Sequence, residues 1–572
     1  MEALTANALQ ILEERYLLKN EAGSITEQPE ALFHRVARGV AAAEGKDAGF
    51  WEEVFFNLMS EGLFLPNSPT LMNAGLPQGQ LSACFVLPVE DSLDQIFLTL
   101  ARASLIHKSG GGTGYNFSKL RPGGSRIDSS GGTASGPVGF MKVFDEATRQ
   151  VKQGGKRRGA NMGILNIDHP DIEAFVRVKA DGVSLQNFNL SVGITDEFMN
   201  RVIQDLEWSL RNPMTREITR VLPARELWDT IVQMAWQTGD PGLIFLDAIN
   251  RENPLAKTSV INSTNPCGEV PLQDFESCNL GSVNLSRMLR PGKGGKEVDW
   301  ERLKITVQHG IRFLDNVITV NHYLLPEVRR VTLANRKIGL GLMGWAELLL
   351  ELDIPYASTE AVTLAEDLMQ FVQKVSYSTS EALAQEKGVF PSWGESHFYP
   401  DRRMRNATCN SIAPTGSLAV IANTTYAVEP LYALSFIRSG ILDGKRQEAT
   451  MPIVRKKLEA MGYWDERLKA MIWESGRIAA AHWLPEEVRL LFQTSMEIGW
   501  EYHLKHQHAF QRFTDNAVSK TINLPKHTTT DVIDMILMTA WKYGLKGITI
   551  YRDQSKPVQV LNRRCGISAS SC

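Results

Sequence analysis

Cysteine is scarce in this chain, with 6 in 572 residues, and no two of them form a C-x-x-C pair. That excludes a disulfide-stapled secreted scaffold and a structural zinc ribbon, and leaves thiols kept reduced for chemistry. Charge of one sign is lacking too: 61 Lys and Arg stand against 64 Asp and Glu, a formal net charge of -3. Such a balance gives no field to gather nucleic acid or an anionic membrane, so neither is expected as a partner, and an anionic ligand has to be held by local groups. No apolar run is long enough for a signal peptide or a membrane span, and the opening MEALTANALQILEERYLLKN carries acids early, so a cytoplasmic protein is expected. Internal repeats and low-complexity segments are absent as well.

What is present is enough for a large globular core, at 43% hydrophobic and 22% charged residues. Apolar positions in ALQILEERYLL and ALFHRVARGVAAAE recur at helical spacing, which predicts a helical region over residues 1–70. From PNSPTLMNAG onward, short apolar runs (SACFVLPV, ANMGILNI, NLSVGI) alternate with amphipathic stretches such as LWDTIVQMAWQTG and AVTLAEDLMQFVQKVSYSTSEALAQEKG. This is the texture of an α/β architecture over residues 71–555. Residues 556–572 lose periodicity and gain small and polar residues, as in a flexible tail that holds Cys565 and Cys572.

The stretch NPCGEVPLQDFESC places an amide, a thiol and a carboxylate at alternate positions, Asn265, Cys267 and Glu269, and returns to a second thiol at Cys278. In an extended segment alternate side chains share a face, so a hydrogen-bond donor, a sulfur and a base would converge on one small ligand. The structural alternative is a partly buried cysteine beside a turn. Two further segments bear on the choice. LSACFVLPVEDSLDQ places Cys84 before an apolar run, and NATCNSIAPTGSLAVIANTTYAVEP holds a Thr-Gly-Ser turn of the kind that offers backbone N–H groups and hydroxyls to phosphate.

Together these segments resemble the catalytic subunit of ribonucleotide reductase, from LTANALQILEERYLL to KGITIYRDQS. The resemblance implies a ten-stranded α/β barrel with Cys267 at a loop tip inside it, as the thiyl radical that abstracts the ribose 3′-hydrogen. It implies that Glu269 takes the 3′-hydroxyl proton, Asn265 holds the sugar, and Cys84 with Cys278 forms the reducing pair. Substrate contacts implied in the same way are Ser68, Gly112 and, for the diphosphate, Pro414, Thr415, Gly416, Ser417 and Leu418. Radical chemistry makes these residue types intelligible: a radical on the adjacent carbon weakens the bond to the leaving hydroxyl, and thiols both hold a radical and deliver electrons.

A second nucleotide site is implied between DSLDQ and the run KQGGKRRG, although such a run read alone is a solvated basic loop or a nucleic-acid patch. In the family it is the specificity loop. Asp91 would read a deoxynucleoside triphosphate effector, Arg121 would hold its triphosphate, and Gln153, Lys156 and Arg157 would relay its identity. The effector lies at a subunit interface in relatives, so a homodimer is expected.

Class is read from the radical source. Class I chains carry adjacent tyrosines where KGITIYRD has Thr549 and Ile550, and the tail NRRCGISASSC does not resemble the glycyl-radical motif of class III. HAFQRFTDNAVSKTINLP and GLKGITIYRDQS resemble the adenosylcobalamin-dependent class II enzymes, and the effector segments resemble the branch that reduces diphosphates. A thioredoxin-type reductant is implied, with Cys565 and Cys572 as a tail thiol shuttle, although six residues separate them where the family has a close pair. The alternatives are a reductase subunit served by a separate radical-generating partner and, from another class, a nicotinamide dehydrogenase. The latter rests on Gly339, Gly341 and Gly344 in G-x-G-x-x-G spacing. No acidic residue closes a second strand about twenty residues on, so these glycines read as close packing where a strand meets a helix. His503, His506 and His508 raise the question of a metal, but they have no nearby cysteine or convincing carboxylate partner and no metal site is expected. Cys409, in a short apolar context, reads as structural.

Overall fold

The computed structural model describes residues 4–127, 131–153, 157–441 and 445–555. Its centre is a sheet of ten strands: β1 (Phe64–Pro66), β2 (Cys84–Val86), β3 (Gly112–Asn116), β4 (Asn161–Asn166), β5 (Phe188–Ile194), β6 (Gly242–Phe245), β7 (Glu276–Asn284), β8 (Ile338–Met343), β9 (Thr521–Leu524) and β10 (Gly547–Arg552). Strands β2 to β6 run parallel in chain order. At two seams, β2 against β7 and β6 against β10, the direction reverses, and β1 also lies antiparallel to β7. Strand β8 is parallel to β7, and β9 to β10. Single parallel bridges from Leu340 to Asn410 and from Ile412 to Val518 carry the sheet through residues 410–412 to Val518, just ahead of β9, which closes it into a barrel. The sequence predicts this architecture, and the runs SACFVLPV, ANMGILNI and NLSVGI are β2, β4 and β5.

Helices wrap the strands: α1 (Ala6–Ile11), α2 (Pro29–Ala41), α3 (Ala48–Ser60), α4 (Leu93–Lys108), α5 (Gly136–Gln150), α6 (Trp300–Val320), α7 (Thr359–Lys387), α8 (Gly416–Ile421) and α9 (Trp500–Gln511). Helix α2 starts with Pro29, whose missing N–H has no partner to lose in the first turn. It buries Leu32, Phe33, Val36 and Val40 along one face. That face does not close a core of its own. It joins Phe55 of α3 and Phe313, Leu314 and Val317 of α6 in the core beneath β7 and β8. Phe313 meets Phe55 and Phe64 edge-on, with ring centroids 5.0 and 5.3 Å apart. Each such buried side chain contributes about 1.5–3 kcal/mol, so the N-terminal helices are anchored to this half of the barrel.

Glycines on alternate positions thin the barrel wall where something must approach it. In β3, a Cβ at Gly112 would lie 2.8 Å from Pro266 Cγ and one at Gly114 only 1.8 Å from the Thr264 carbonyl oxygen. Thr113 and Tyr115, on the opposite face, bond to each other at 2.7 Å. In β8, a Cβ at Gly339 would meet Leu280 and one at Gly341 the Ser411 carbonyl, and just past the strand one at Gly344 would meet the Thr424 hydroxyl. The G-x-G-x-x-G spacing is therefore wall packing followed by a left-handed entry to a helix, and the buried strand leaves no cradle for a dinucleotide. Among the described residues, no helix is long and apolar enough to cross a membrane.

Candidate active site

The stretch that holds Cys267 is not extended. Ser263–Thr264 and Pro271–Leu272 pair as a short antiparallel hairpin, and residues 265–270 form its tip. Asn265 closes the tip three times over: its N–H donates to the Val270 carbonyl (3.3 Å), its carbonyl accepts from Gly268 N–H (3.1 Å), and its Oδ1 accepts from Val270 N–H (3.0 Å). Gly268 has φ +82°, a left-handed conformation natural to glycine. The expectation that Asn265, Cys267 and Glu269 share one face of an extended segment is thus corrected. The turn leaves Cys267 exposed at the tip and buries Asn265 and Glu269.

The hairpin enters the barrel across Gly112 and Gly114 and is clamped there. Asn189 Nδ2 donates to the Pro266 carbonyl at 2.7 Å. The Glu269 carbonyl accepts from Ala517 N–H at 2.8 Å and Ser411 Oγ at 2.9 Å. A cavity of about 180 Å³ lies against the tip, lined by Cys267, Pro414, Asn189, Gly242, Lys520 and Thr549 among others.

Beneath the tip, Cys84 on β2 and Cys278 on β7 are direct cross-strand partners. Opposed residues of antiparallel strands have Cα atoms about 4.5–5.5 Å apart, within the span a disulfide bridges. Asn265 Nδ2 donates to Cys84 Sγ at 3.1 Å, which ties the hairpin to the pair, and Cys278 Sγ donates to the Asn279 carbonyl at 3.3 Å. Burial pushes both thiols up, Cys84 further under the negative charge of Glu269 and Cys278 under that of Glu276. Both are neutral thiols at physiological pH. Glu269 is held high by burial, at about 7, against the opposing pull of its Asn265 hydrogen bond. Its Oε2 is a buried acceptor with no hydrogen-bond partner among the described residues. A carboxylate that gains and loses its proton near neutrality, beside an exposed thiol and an opposed thiol pair, is an apparatus for proton and hydrogen transfer.

The Thr-Gly-Ser turn borders the same cavity through Pro414. Thr415 is left-handed (φ +57°) and its hydroxyl accepts from Ala427 N–H at 2.8 Å. Gly416 opens α8, and Leu418 is buried behind it. Ser417 Oγ accepts from Arg15 Nη1 at 2.9 Å, and Ser68 Oγ shares a 2.8 Å hydrogen bond with the Tyr16 hydroxyl.

Of the residues predicted for an effector, Asp91 and Arg121 meet directly: Nε to Oδ2 is 2.7 Å, and Arg121 N–H donates to Oδ1 at 3.0 Å. The backbones of Gln153 and Arg157 pair in an antiparallel ladder. Lys156, Cys565 and Cys572 lie outside the described residues.

The histidines of α9 form no metal centre, and no cluster of metal ligands occurs among the described residues. His506 stacks on Tyr356 with centroids 3.9 Å apart, and burial holds it at about 3. His503 bonds to the Ser495 carbonyl at 2.9 Å and stands 3.1 Å from Lys520 Nζ. Sequence reasoning missed Lys520, a fully buried cation on the cavity wall paired with Glu429 at 2.7 Å. It missed Asn189 as well. The one signal that could have pointed to Lys520 is a lone Lys between the apolar residues of AVSKTINLP. Cys409 is structural: it is buried, and its N–H donates to Asp515 Oδ2 at 2.6 Å.

Comparison with known proteins gives the family of the chain. Residues 82–551 match the ribonucleotide reductase barrel domain and residues 2–79 the ribonucleotide reductase all-alpha domain. The vitamin B12-dependent ribonucleoside-diphosphate reductase of Mycobacterium tuberculosis (strain CDC 1551 / Oshkosh) is 47% identical over 564 residues, spanning 98% of this chain and 81% of that protein. Its counterpart from Thermoplasma acidophilum is 44% identical over 619 residues, spanning 98% of this chain and 80% of that protein. The Actinobacillus ureae class Id ribonucleotide reductase alpha subunit has the same fold, with a TM-score of 0.79 at 24% identity over 97% of this chain and 98% of that one. The chain belongs to the ribonucleotide reductase family.

Proposed function

We propose that this protein is an adenosylcobalamin-dependent ribonucleoside-diphosphate reductase that makes 2′-deoxyribonucleoside diphosphates. The observation that carries the reading is the Cys84–Cys278 pair, directly opposed under a hairpin tip that presents Cys267 and bonds to Cys84 through Asn265. Cys267 holds the radical as a thiyl and takes the ribose 3′-hydrogen. Glu269 accepts the 3′-hydroxyl proton, and Asn265 positions the sugar. The 2′-hydroxyl leaves as water with a proton from the thiol pair, the pair delivers two electrons and ends as a disulfide, and Cys267 returns the hydrogen to C3′. The barrel shields the radical from solvent.

The cavity, at about 180 Å³, takes only a part of the cofactor, and its wall offers polar groups to that part. Gln507 Oε1 is buried on its wall without a hydrogen-bond partner among the described residues, an acceptor that a polar edge of the cofactor would satisfy. Asn189, Gln507, Ser519 and Thr521 would hold polar edges of the group. Bound adenosylcobalamin supplies homolytic, one-electron chemistry. Thr549, where a relay would need a tyrosine, lines that cavity, which favours this reading over a separate radical-generating partner.

In the same reading Ser68, Gly112 and the turn Pro414–Leu418 hold the substrate, the turn taking its diphosphate. Asp91, Arg121, Gln153, Lys156 and Arg157 form the site for a deoxynucleoside triphosphate effector that sets substrate choice. The protein acts as a homodimer through α4 and α5. Leu93, Phe97, Leu98 and Leu105 on α4 and Val143 on α5 are large exposed apolar residues on two helices in contact, the kind of surface a partner covers. The tail thiols Cys565 and Cys572 pass electrons from a thioredoxin-type reductant, and residues 1–70 form the helical region that packs on the barrel of residues 71–555 and lends it β1. The test is anaerobic reduction of cytidine diphosphate with dithiothreitol and effector. Turnover that requires adenosylcobalamin and is lost in Cys267→Ser supports the reading, and a folded wild type that is inactive with every effector overturns it.

A further inference from the structure

The N-terminal helices reach into the substrate site through two consecutive residues. Leu12–Tyr16 form a π-helical turn, with Leu17 N–H bonded to the Leu12 carbonyl at 2.9 Å. Single π turns are uncommon and concentrate at functional sites, because the widened turn redirects side chains that a regular helix would aim elsewhere. Here it aims Arg15 at Ser417 and Tyr16 at Ser68, at 2.9 and 2.8 Å. Both hydroxyls belong to the substrate set of the proposed function. The approach is a packed one, since α1 lies against α8.

The turn itself is short of positive charge. Residues 406–437 contain no Lys and no Arg, and they include Glu429. Lys520, the cation on the neighbouring cavity wall, is committed to Glu429 at 2.7 Å. A diphosphate bound at Pro414–Leu418 would meet N–H groups and hydroxyls but no counter-charge from the turn. A guanidinium is the group best suited to fill that need, with planar paired donors that match phosphate oxygens.

We infer that Arg15 is the cationic ligand of the substrate's terminal phosphate, carried into the barrel site by the N-terminal helical region. Ser417 Oγ holds the guanidinium at the turn, and Tyr16 fixes the Ser68 hydroxyl beside it. The inference rests on the diphosphate reading of Pro414–Leu418, and it makes the helical region part of the active site rather than a buttress.

The experiment is steady-state reduction of cytidine diphosphate by full-length wild type, Arg15→Gln and Arg15→Lys, each loaded with adenosylcobalamin, with cytidine as a phosphate-free competitive inhibitor. Arg15→Gln is expected to raise KM for the diphosphate by about 10- to 100-fold, the worth of a charge-assisted phosphate contact, while the inhibition constant of cytidine and the melting temperature stay at wild-type values. Arg15→Lys is expected to recover part of the loss because it restores charge without the fork. An unchanged KM in Arg15→Gln overturns the inference, as does an equal weakening of diphosphate and cytidine, which would mean a structural role. In either case an active wild type leaves the reductase reading intact, whereas an inactive wild type removes both.

Discussion

Cys84 and Cys278 face each other across the antiparallel seam where β2 meets β7, and Asn265 reaches from the hairpin tip to within 3.1 Å of Cys84 Sγ. The pair is therefore set for disulfide formation by strand register and not by loop flexibility. Their thiols are buried and neutral, so neither is a ready nucleophile toward outside partners, and the geometry favours closure between the two. Cys84→Ser and Cys278→Ser are each expected to abolish steady-state turnover while leaving the melting temperature within a few degrees of wild type, checked by activity and calorimetry side by side.

Glu269 gives a pH dependence with a definite sign. Burial lifts its carboxyl from 4.5 to about 7, and the ionised form is the one that accepts a proton. Activity is expected to rise with pH through about 7, and Glu269→Gln is expected to lose about 10²- to 10⁴-fold in kcat together with that limb of the profile. Between 4.5 and about 7 the folded chain binds a proton that the unfolded chain has released, so this residue's contribution to stability falls as pH rises across that window and is flat above it. Glu269→Gln should therefore be more stable than wild type at pH 8, by about 3 kcal/mol as an upper figure. Denaturant melts at pH 5 and pH 8 check the sign, and equal differences at both would contradict it.

Gly114→Ala tests the seating of the hairpin. The new methyl would stand 1.8 Å from the Thr264 carbonyl oxygen, and the backbone has to move. A cost of about 1–3 kcal/mol in stability is expected, with a fall of about 10²-fold in turnover from displacement of Cys267. A variant with wild-type activity would show that the hairpin position is not critical.

Lys520 and Glu429 form a partly buried pair on the cavity wall. Lys520→Met leaves Glu429 without its cation and is expected to destabilise the fold by about 3 kcal/mol, whereas Lys520→Met combined with Glu429→Gln should recover much of the loss. Chemical denaturation of the two singles and the double gives the coupling directly.

Phe97→Glu on α4 places a charge in the exposed apolar stripe with Leu93 and Leu105. The expected result is a monomer by analytical ultracentrifugation, with effector response lost and basal turnover retained. A dimer that persists would move the interface elsewhere.

The sequence was most informative where chemistry is local. The long amphipathic stretch of α7, the short apolar strands and the Asn265, Cys267 and Glu269 constellation are all visible in periodicity or spacing. The face on which those three residues sit was not visible, because Asn265 folds its own side chain onto Val270 N–H and Gly268 turns the chain, a local choice that outweighs strand alternation. The opposition of Cys84 and Cys278 depends on register between distant strands. The Arg15 contact with Ser417 spans 402 positions and leaves no periodic trace at all. The histidines of α9 drew attention by composition alone. Their burial against Tyr356, Trp345 and Lys520 is a product of packing.

The most direct measurement is a single turnover without external reductant. Pre-reduced protein carrying Cys565→Ser and Cys572→Ser is mixed anaerobically with adenosylcobalamin, effector and cytidine diphosphate, then trapped and mapped by peptide mass spectrometry. The expected result is about one deoxycytidine diphosphate per chain and a Cys84–Cys278 disulfide that forms in step with it. Product without that disulfide, or turnover that continues past the thiol supply, would contradict the assignment of the opposed pair as the source of electrons.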